Sequence, residues 1–327
     1  MRISKFVWLT CVCVAAAAQT TSSQLTISDN CRIINDSAVA LLDQGRLAEG
    51  QAVFRSNLAA DSVKKEPVCL AVTLHNWAAI LVAAGKTSDA ETPAVQSVAL
   101  LDRLAGPEDP VRLRPLQTLW FVYAELDEVA RARQACQALR ALRLVSPRDK
   151  AIVLSVSAAQ ARLEGQNVQA ENGYLLAISA WEPFGKGGSI ETASLLCDLS
   201  ILYADQDRLI EAETMMKRAV RTISSAPGAT PAEVIRIRNQ QAVVHATQGH
   251  WDIACSELKE LVAAGESSQL GGSLLKVLYS NYAYVLQKTH QKRAARAMAA
   301  RAAAIPEVAS SSELVDISAF TNRKGPR

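Results

Sequence analysis

Histidine and cysteine supply most proton-transfer, nucleophilic and metal chemistry, and this chain has four of the first and seven of the second. His245, His250 and Cys255 come nearest to a ligand set, because each residue type binds transition metals and they follow at five-residue steps. On a helix a metal pair needs i, i+4 spacing, and a structural zinc site wants four converging ligands. Neither condition is met, so His245 reads as a core residue with a satisfied hydrogen bond, and no metal is expected. Gly85-Lys86-Thr87 looks like the end of a phosphate-binding loop, but Ile80 stands where that loop requires its first glycine. No Gly-x-Ser-x-Gly nucleophile elbow occurs, and Ser267-Ser268 and Ser310-Ser311-Ser312 read as loop residues. Catalytic residues and cofactors are therefore not expected, although an enzyme site assembled from scattered residues would leave no motif. One charge run stands out. Lys288, Lys292, Arg293, Arg296 and Arg301 occur with no acidic residue from 288 to 304. In a last helix such charge complements the negative end of the dipole and keeps an exposed side soluble. Docking on anionic lipid or an acidic partner is the competing reading.

The elements that could position any of these residues are helices. The chain has 327 residues, 49% of them apolar and only 5% aromatic, with alanine abundant throughout. Gly and Pro number 15 and 11, and charged residues make 20%, which excludes collagen-like and largely disordered classes. A net charge of +3 is too small to imply nucleic acid as partner.

Residues 1–18 have the order of parts of a secretory signal peptide: Arg2 and Lys5, an uncharged stretch from Phe6, then Ala16-Ala17-Ala18 before a cut at Gln19. The stretch is shorter than the ~20 apolar residues of a membrane span. The expectation is an exported chain, periplasmic or extracellular, with no transmembrane segment after cleavage and a linker over 19–30. Cys31, Cys69, Cys136, Cys197 and Cys255 then remain, an odd number at low density. One bridge, Cys31–Cys69, is conceivable, since both lie near the starts of successive repeats; the alternative is small buried apolar residues.

The repeat is the dominant feature. Leu199-Ser200-x-x-Tyr203, Asp207-Arg208, Glu211-Ala212-Glu213 and Met216 describe two amphipathic helices joined by a turn. The frame returns in Trp77-Ala78-x-x-Leu81 with Gly85 and Ala90, in Leu119-Trp120-x-x-Tyr123 with Asp127 and Ala132, and in Gln241-Ala242-x-x-His245 with Gly249 and Ala254. Taking Leu41, Leu81, Tyr123, Ala161, Tyr203, His245 and Leu286 as anchors, the spacings are 40, 42, 38, 42, 42 and 41 residues. Four residues after each anchor, where the first helix must stop, stand Gly45, Gly85, Asp127, Gly165, Asp207, Gly249 and His290. Glycine suits a left-handed helix cap. Pro93 falls inside a second helix, which either starts late with Thr92 as N-cap or is kinked.

This pattern resembles the tetratricopeptide-repeat family, in particular its longer, kinesin-light-chain-type variety, over about residues 31–304. The resemblance implies an all-α, right-handed solenoid of about seven helical hairpins, with the first helices lining a concave groove. It also implies that groove-facing residues lie six and two places before each anchor. The first row is then Asn35, His75, Gln117, Ser155, Cys197, Asn239 and Ser280, and the second is Val39, Ala79, Phe121, Ala159, Ile201, Val243 and Tyr284. A polar row beside an apolar one suits an extended or helical segment of another protein. The expected function is therefore a non-catalytic interaction scaffold that binds an unidentified protein or peptide in the groove. The irregular tail 305–327 offers an alternative, because Leu314 to Phe320 alternates like a short strand and could dock on a partner's sheet edge.

Overall fold

The computed structural model describes residues 28–43, 47–268 and 272–305, so the signal-peptide, linker and tail readings lie outside the described residues. Two compact units result, one ending at Glu164 and one beginning at Gly165.

In the first unit α1 (Asp29–Asp43) pairs with α2 (Leu47–Ala59), α4 (Pro67–Ala83) with α5 (Thr87–Ala105), and α6 (Leu113–Glu125) with α7 (Val129–Arg140). A short α3 (Asp61–Lys65) leads into α4, and α8 (Pro147–Leu163) closes the unit. The second unit opens with α9 (Asn167–Trp181). Three hairpins follow: α10 (Ser189–Asp205) with α11 (Leu209–Ser224), α12 (Pro231–Thr247) with α13 (Trp251–Ser267), and α14 (Gly272–Lys288) with α15 (Lys292–Ala304). Within each unit, consecutive hairpins stack. The fold is all-α and of tetratricopeptide type.

Helix starts are written in the local sequence. Pro67, Pro147 and Pro231 take first-turn positions, where a missing N–H leaves nothing unpaired. Thr230 and Glu233 form a capping box, the threonine side chain accepting from the Glu233 N–H and the carboxylate from the Thr230 N–H. Pro93 lies within α5, which begins at Thr87 and runs on to Ala105, so the late start is not the solution adopted.

The turns follow one rule. Gly85, Asp127, Gly165, Asp207, Gly249 and His290 all have positive φ, from 59° to 81°. At five of them the anchor carbonyl accepts the N–H five residues on: Leu81 from Lys86, Tyr123 from Glu128, Tyr203 from Arg208, His245 from His250, and Leu286 from Gln291. That bond satisfies a carbonyl the helix end leaves open, and it reverses the chain in a fixed direction. Gly45 lies outside the described residues.

Close packing of the two helices of a hairpin depends on two columns of small residues. Ala38, Ala78, Ala158, Ser200, Ala242 and Ala283, three places before the anchors, are buried. So are Ala90, Ala132, Ala170, Ala212, Ala254 and Ala295, nine places after them. The Ser200 hydroxyl donates to the Ala212 carbonyl at 2.6 Å, which shows how near the helices come. Trp120 occupies the first column in α6. Its ring is buried, and Nε1 donates to Gln160 Oε1 at 2.8 Å, so the one polar atom of a large intruder is satisfied. Cys31 and Cys69 form a disulfide with Cα atoms 5.5 Å apart, which ties α1 to α4 beside the buried Val63 of α3.

Candidate functional site

Successive first helices are joined by a polar ladder. Asn76 Nδ2 donates to Asn35 Oδ1 at 2.9 Å in the first unit, and Asn281 Nδ2 donates to Asn239 Oδ1 at 3.1 Å in the second. Both rungs join the place six before one anchor to the place five before the next. Asn35 spends its own amide hydrogens on the Cys31 carbonyl (2.9 Å) and Thr73 Oγ1 (3.2 Å). Between α4 and α6 the same two places hold His75 and Thr118, and His75 Nδ1 and Thr118 Oγ1 are both buried without a partner. Burial, with the Arg114 charge adding to it, brings the His75 pKa down to about 3, so the imidazole is neutral near pH 7.

The two rows expected to face a groove are mostly interior. Asn35, His75, Gln117, Ser155, Cys197 and Asn239 are buried, and so are Ala79, Phe121, Ala159, Ile201 and Val243. Ser280 and Tyr284 keep partial exposure; the Val39 side chain lies outside the described ones. Of these rows, Asn35 and Asn239 join one first helix to the next through the two rungs above.

Residues one turn further upstream reach the surface. Arg32, Arg114 and Arg236 stand nine places before their anchors; Arg32 is exposed and the other two are half-buried. Sequence reasoning passed over them, although an i−3 offset from the polar row would have found them. Arg114 Nη1 donates to Gln117 Oε1 at 3.2 Å, and its charge, with that of Arg148, partly offsets the burial that raises the Asp149 pKa.

Arg236 differs. Its Nε and Nη1 are buried and have no hydrogen-bond partner. On the same stripe of α12, Asn239 Nδ2 and both side-chain polar atoms of Gln240 are buried and unpartnered too, and Asn239 and Gln240 are 0% and 1% exposed. Three successive polar side chains at i, i+3 and i+4 thus present unmet hydrogen-bonding capacity on one helix, which is costly unless something supplies partners.

The anchor end of the hairpins is self-satisfied. Arg131 lies 4.1 Å over the Tyr123 ring and pairs with Glu91 of the preceding hairpin and with Glu128. Arg208 repeats this over Tyr203, also at 4.1 Å, pairing with Glu171 at 2.7 Å, to which the Tyr203 hydroxyl donates at 2.9 Å. In the sixth hairpin His245 takes the tyrosine's place and its Nδ1 lies 2.8 Å from Glu257 Oε2. That bond raises the His245 pKa against the opposing effect of burial. His250 is exposed and Cys255 half-buried. Among the described residues no group of three His, Cys, Asp or Glu side chains converges as metal ligands would.

The basic stretch forms the outer side of α15. Thirteen places after the anchors, Tyr174, Met216 and Leu258 are buried, whereas Ala299 of α15 is exposed. Lys292, Arg293 and Arg296 are exposed and have no acidic partner among the described residues, while Arg301 pairs with Glu266 at 2.8 Å and lies over Tyr279. Bulky apolar residues have given way to alanine and cations, as a surface left to water requires.

The sequence profile of one family, "Tetratricopeptide repeat", matches residues 192–224, which span α10 and α11 with their Asp207 turn. These residues match a tetratricopeptide repeat, and the other hairpins of the second unit share its fold. No curated protein matches the sequence of the chain. Several solved tetratricopeptide-type structures are similar to the chain in fold. A Rap protein complexed with competence and sporulation factor matches with a TM-score of 0.63 at 15% identity, over 86% of this chain and 76% of that one. NprR in complex with its cognate peptide NprX matches at 0.62 and 11%, over 85% and 79%. BtubC (BKLC) from P. vanneervenii matches at 0.53 and 19%, over 74% and 94%. At these identities the likeness concerns the fold alone. Among the described residues of this repeat protein, no helix is long and apolar enough to cross a membrane.

Proposed function

We propose that the chain is a non-catalytic scaffold that holds a segment of another protein, or a peptide, against the first helices of residues 165–305. The unmet donors and acceptor of Arg236, Asn239 and Gln240 carry this reading, because a bound main chain offers the C=O and N–H groups they lack. Half-buried Tyr284 and Ser280 on α14 supply neighbouring contact surface. The complexes of Rap with its factor and of NprR with its peptide support the class of ligand. Binding is reversible burial, with no covalent step. Export through residues 1–18 belongs to the same reading, and the Cys31–Cys69 disulfide supports it, since such bridges persist in oxidising compartments.

The test is a pool of random nonapeptides presented to the full chain, with amide hydrogen exchange measured on the retained fraction. Slower exchange in α10, α12 and α14, and binding weakened about tenfold by Asn239→Ala, are the expected results. A pool from which nothing is retained, or protection confined to other helices, would refute the proposal.

A further inference from the structure

The last hairpin carries a charged surface that peptide binding does not use. α15 opens with Lys292 and Arg293, and Arg296 follows one turn on, so the three share one side of the helix. All are exposed, and no acidic side chain among the described residues pairs with them. Lys288, the last residue of α14, is exposed as well, with Nζ 5.7 Å from the centroid of the Trp251 ring and 5.3 Å from that of Tyr284. Lys288 and Lys292 flank the His290 turn and Trp251 opens α13, so these groups gather at one end of the last two hairpins. Against four cations the turn of the sixth hairpin sets one exposed carboxylate, Asp252. Arg301, further along α15, is held by Glu266 and stays out of the cluster. The repeat explains why this side is open. Six and thirteen places after its anchor α13 has Trp251 and Leu258, which pack into one core with α14. The same places of α15 hold Lys292 and Ala299, both exposed.

Cations clustered without counter-charges repel one another and attract an anionic surface. The shape of this side decides which surface. Around the cations α15 presents Ala297, Ala300 and Ala303, all exposed, and no bulky apolar side chain. Stable protein interfaces are centred on aromatic or large apolar anchors seated in desolvated pockets. A helix side of cations over alanines instead lets a plane of negative charge approach the charged groups together, with no side chain to insert. Half-buried Trp251 beside Lys288 adds an amphipathic ring of the kind that settles at the level of lipid headgroups. Single-stranded nucleic acid would want a series of such rings as stacking platforms, which α15 lacks. We infer that this end of the last hairpin docks on an anionic lipid surface, with headgroup phosphates against Lys288, Lys292, Arg293 and Arg296. The contact is electrostatic, reversible and weakened by salt. It uses none of Arg236, Asn239 and Gln240, so it stands or falls independently of peptide binding.

The experiment is co-sedimentation of the full chain with vesicles of phosphatidylcholine alone and of an equal mixture of phosphatidylcholine and phosphatidylglycerol. The readout is the excess bound to the mixed vesicles, because binding through the apolar stretch of residues 1–18 is common to both. An excess is expected at low salt, and ~0.5 M salt should remove it. Each cation near such a surface is worth about fivefold, so the triple variant Lys292→Gln, Arg293→Gln, Arg296→Gln should lose about a hundredfold in partitioning onto the mixed vesicles. The variant Lys64→Gln, Lys65→Gln, Lys186→Gln removes the same charge from exposed lysines elsewhere and should lose little. All six positions are exposed, and circular dichroism checks that both variants keep the parent's helicity. Equal binding to the two kinds of vesicle, or equal losses in the two variants, would overturn the lipid assignment. Capture on immobilised polyglutamate or on duplex DNA with no vesicle binding would overturn it too, and would give the surface to an acidic protein or to nucleic acid.

Discussion

The buried imidazole of His75, expected to face the groove, couples stability to pH. Its folded pKa of about 3 lies below the ~6.5 of an unfolded histidine, so the unfolded chain binds the proton first as pH falls. Stability contributed by the neutral form is complete above pH ~6.5 and declines progressively toward pH 3. Thermal unfolding scans between pH 7 and 5 should therefore show a falling midpoint, and His75→Asn should flatten that slope. His245 has the opposite sign. Its pKa is raised by Glu257, with Glu213 adding and Lys217 opposing, so its contribution is full at mildly acid pH and is lost as pH rises through the raised value. Trp120→Ala tests the crowded small-residue column, and the cavity it leaves should cost about 3–5 kcal/mol by denaturant unfolding. At this scale the sequence was only partly legible. The anchors and small positions could be placed from periodicity, because burial follows helical spacing. The direction faced by Asn239 or Phe121 could not, because packing of one first helix on the next decides which stripe is interior. Arg236 was missed for that reason: its significance lies in the partners it lacks, which no spacing reveals.

Helices and turns were far more legible, because they depend on local chemistry. A left-handed residue is demanded four places after each anchor, and the chain meets the demand with glycine, aspartate or histidine. Asp207 has φ 59°, where a side chain is strained, so Asp207→Gly should raise stability by roughly 0.5–1 kcal/mol and Asp207→Val should lower it by more. Chemical denaturation of both variants is the check. The α1–α4 disulfide is the other element-level device. It encloses a 38-residue separation, and loop entropy gives it about 4 kcal/mol. Replacing both cysteines by serine should increase amide exchange in α1 and α2 most, with α10–α15 little changed. Pro93 shows the limit of local rules, since α5 continues through a proline because its neighbours hold it in place. Tertiary packing outweighs a missing donor there.

Stability in this fold is distributed over interfaces between neighbouring hairpins, and a binding surface exists only where those interfaces hold successive first helices in register. In the second unit Asn239 is fixed by Asn281, and the buried Leu258, Leu261 and Val262 of α13 share a core with Leu274, Leu278 and Val285 of α14. Removing α14 and α15 therefore strips an apolar face and frees the amide beside Arg236. The measurement that bears most directly on this account is thermal unfolding of the chain truncated after Ser268, followed by circular dichroism and compared with the full chain. Interdependent hairpins predict a midpoint lower by about 5 °C or more, with helicity lost beyond the deleted residues. An unchanged midpoint, with helicity reduced only by the share of α14 and α15, would contradict it.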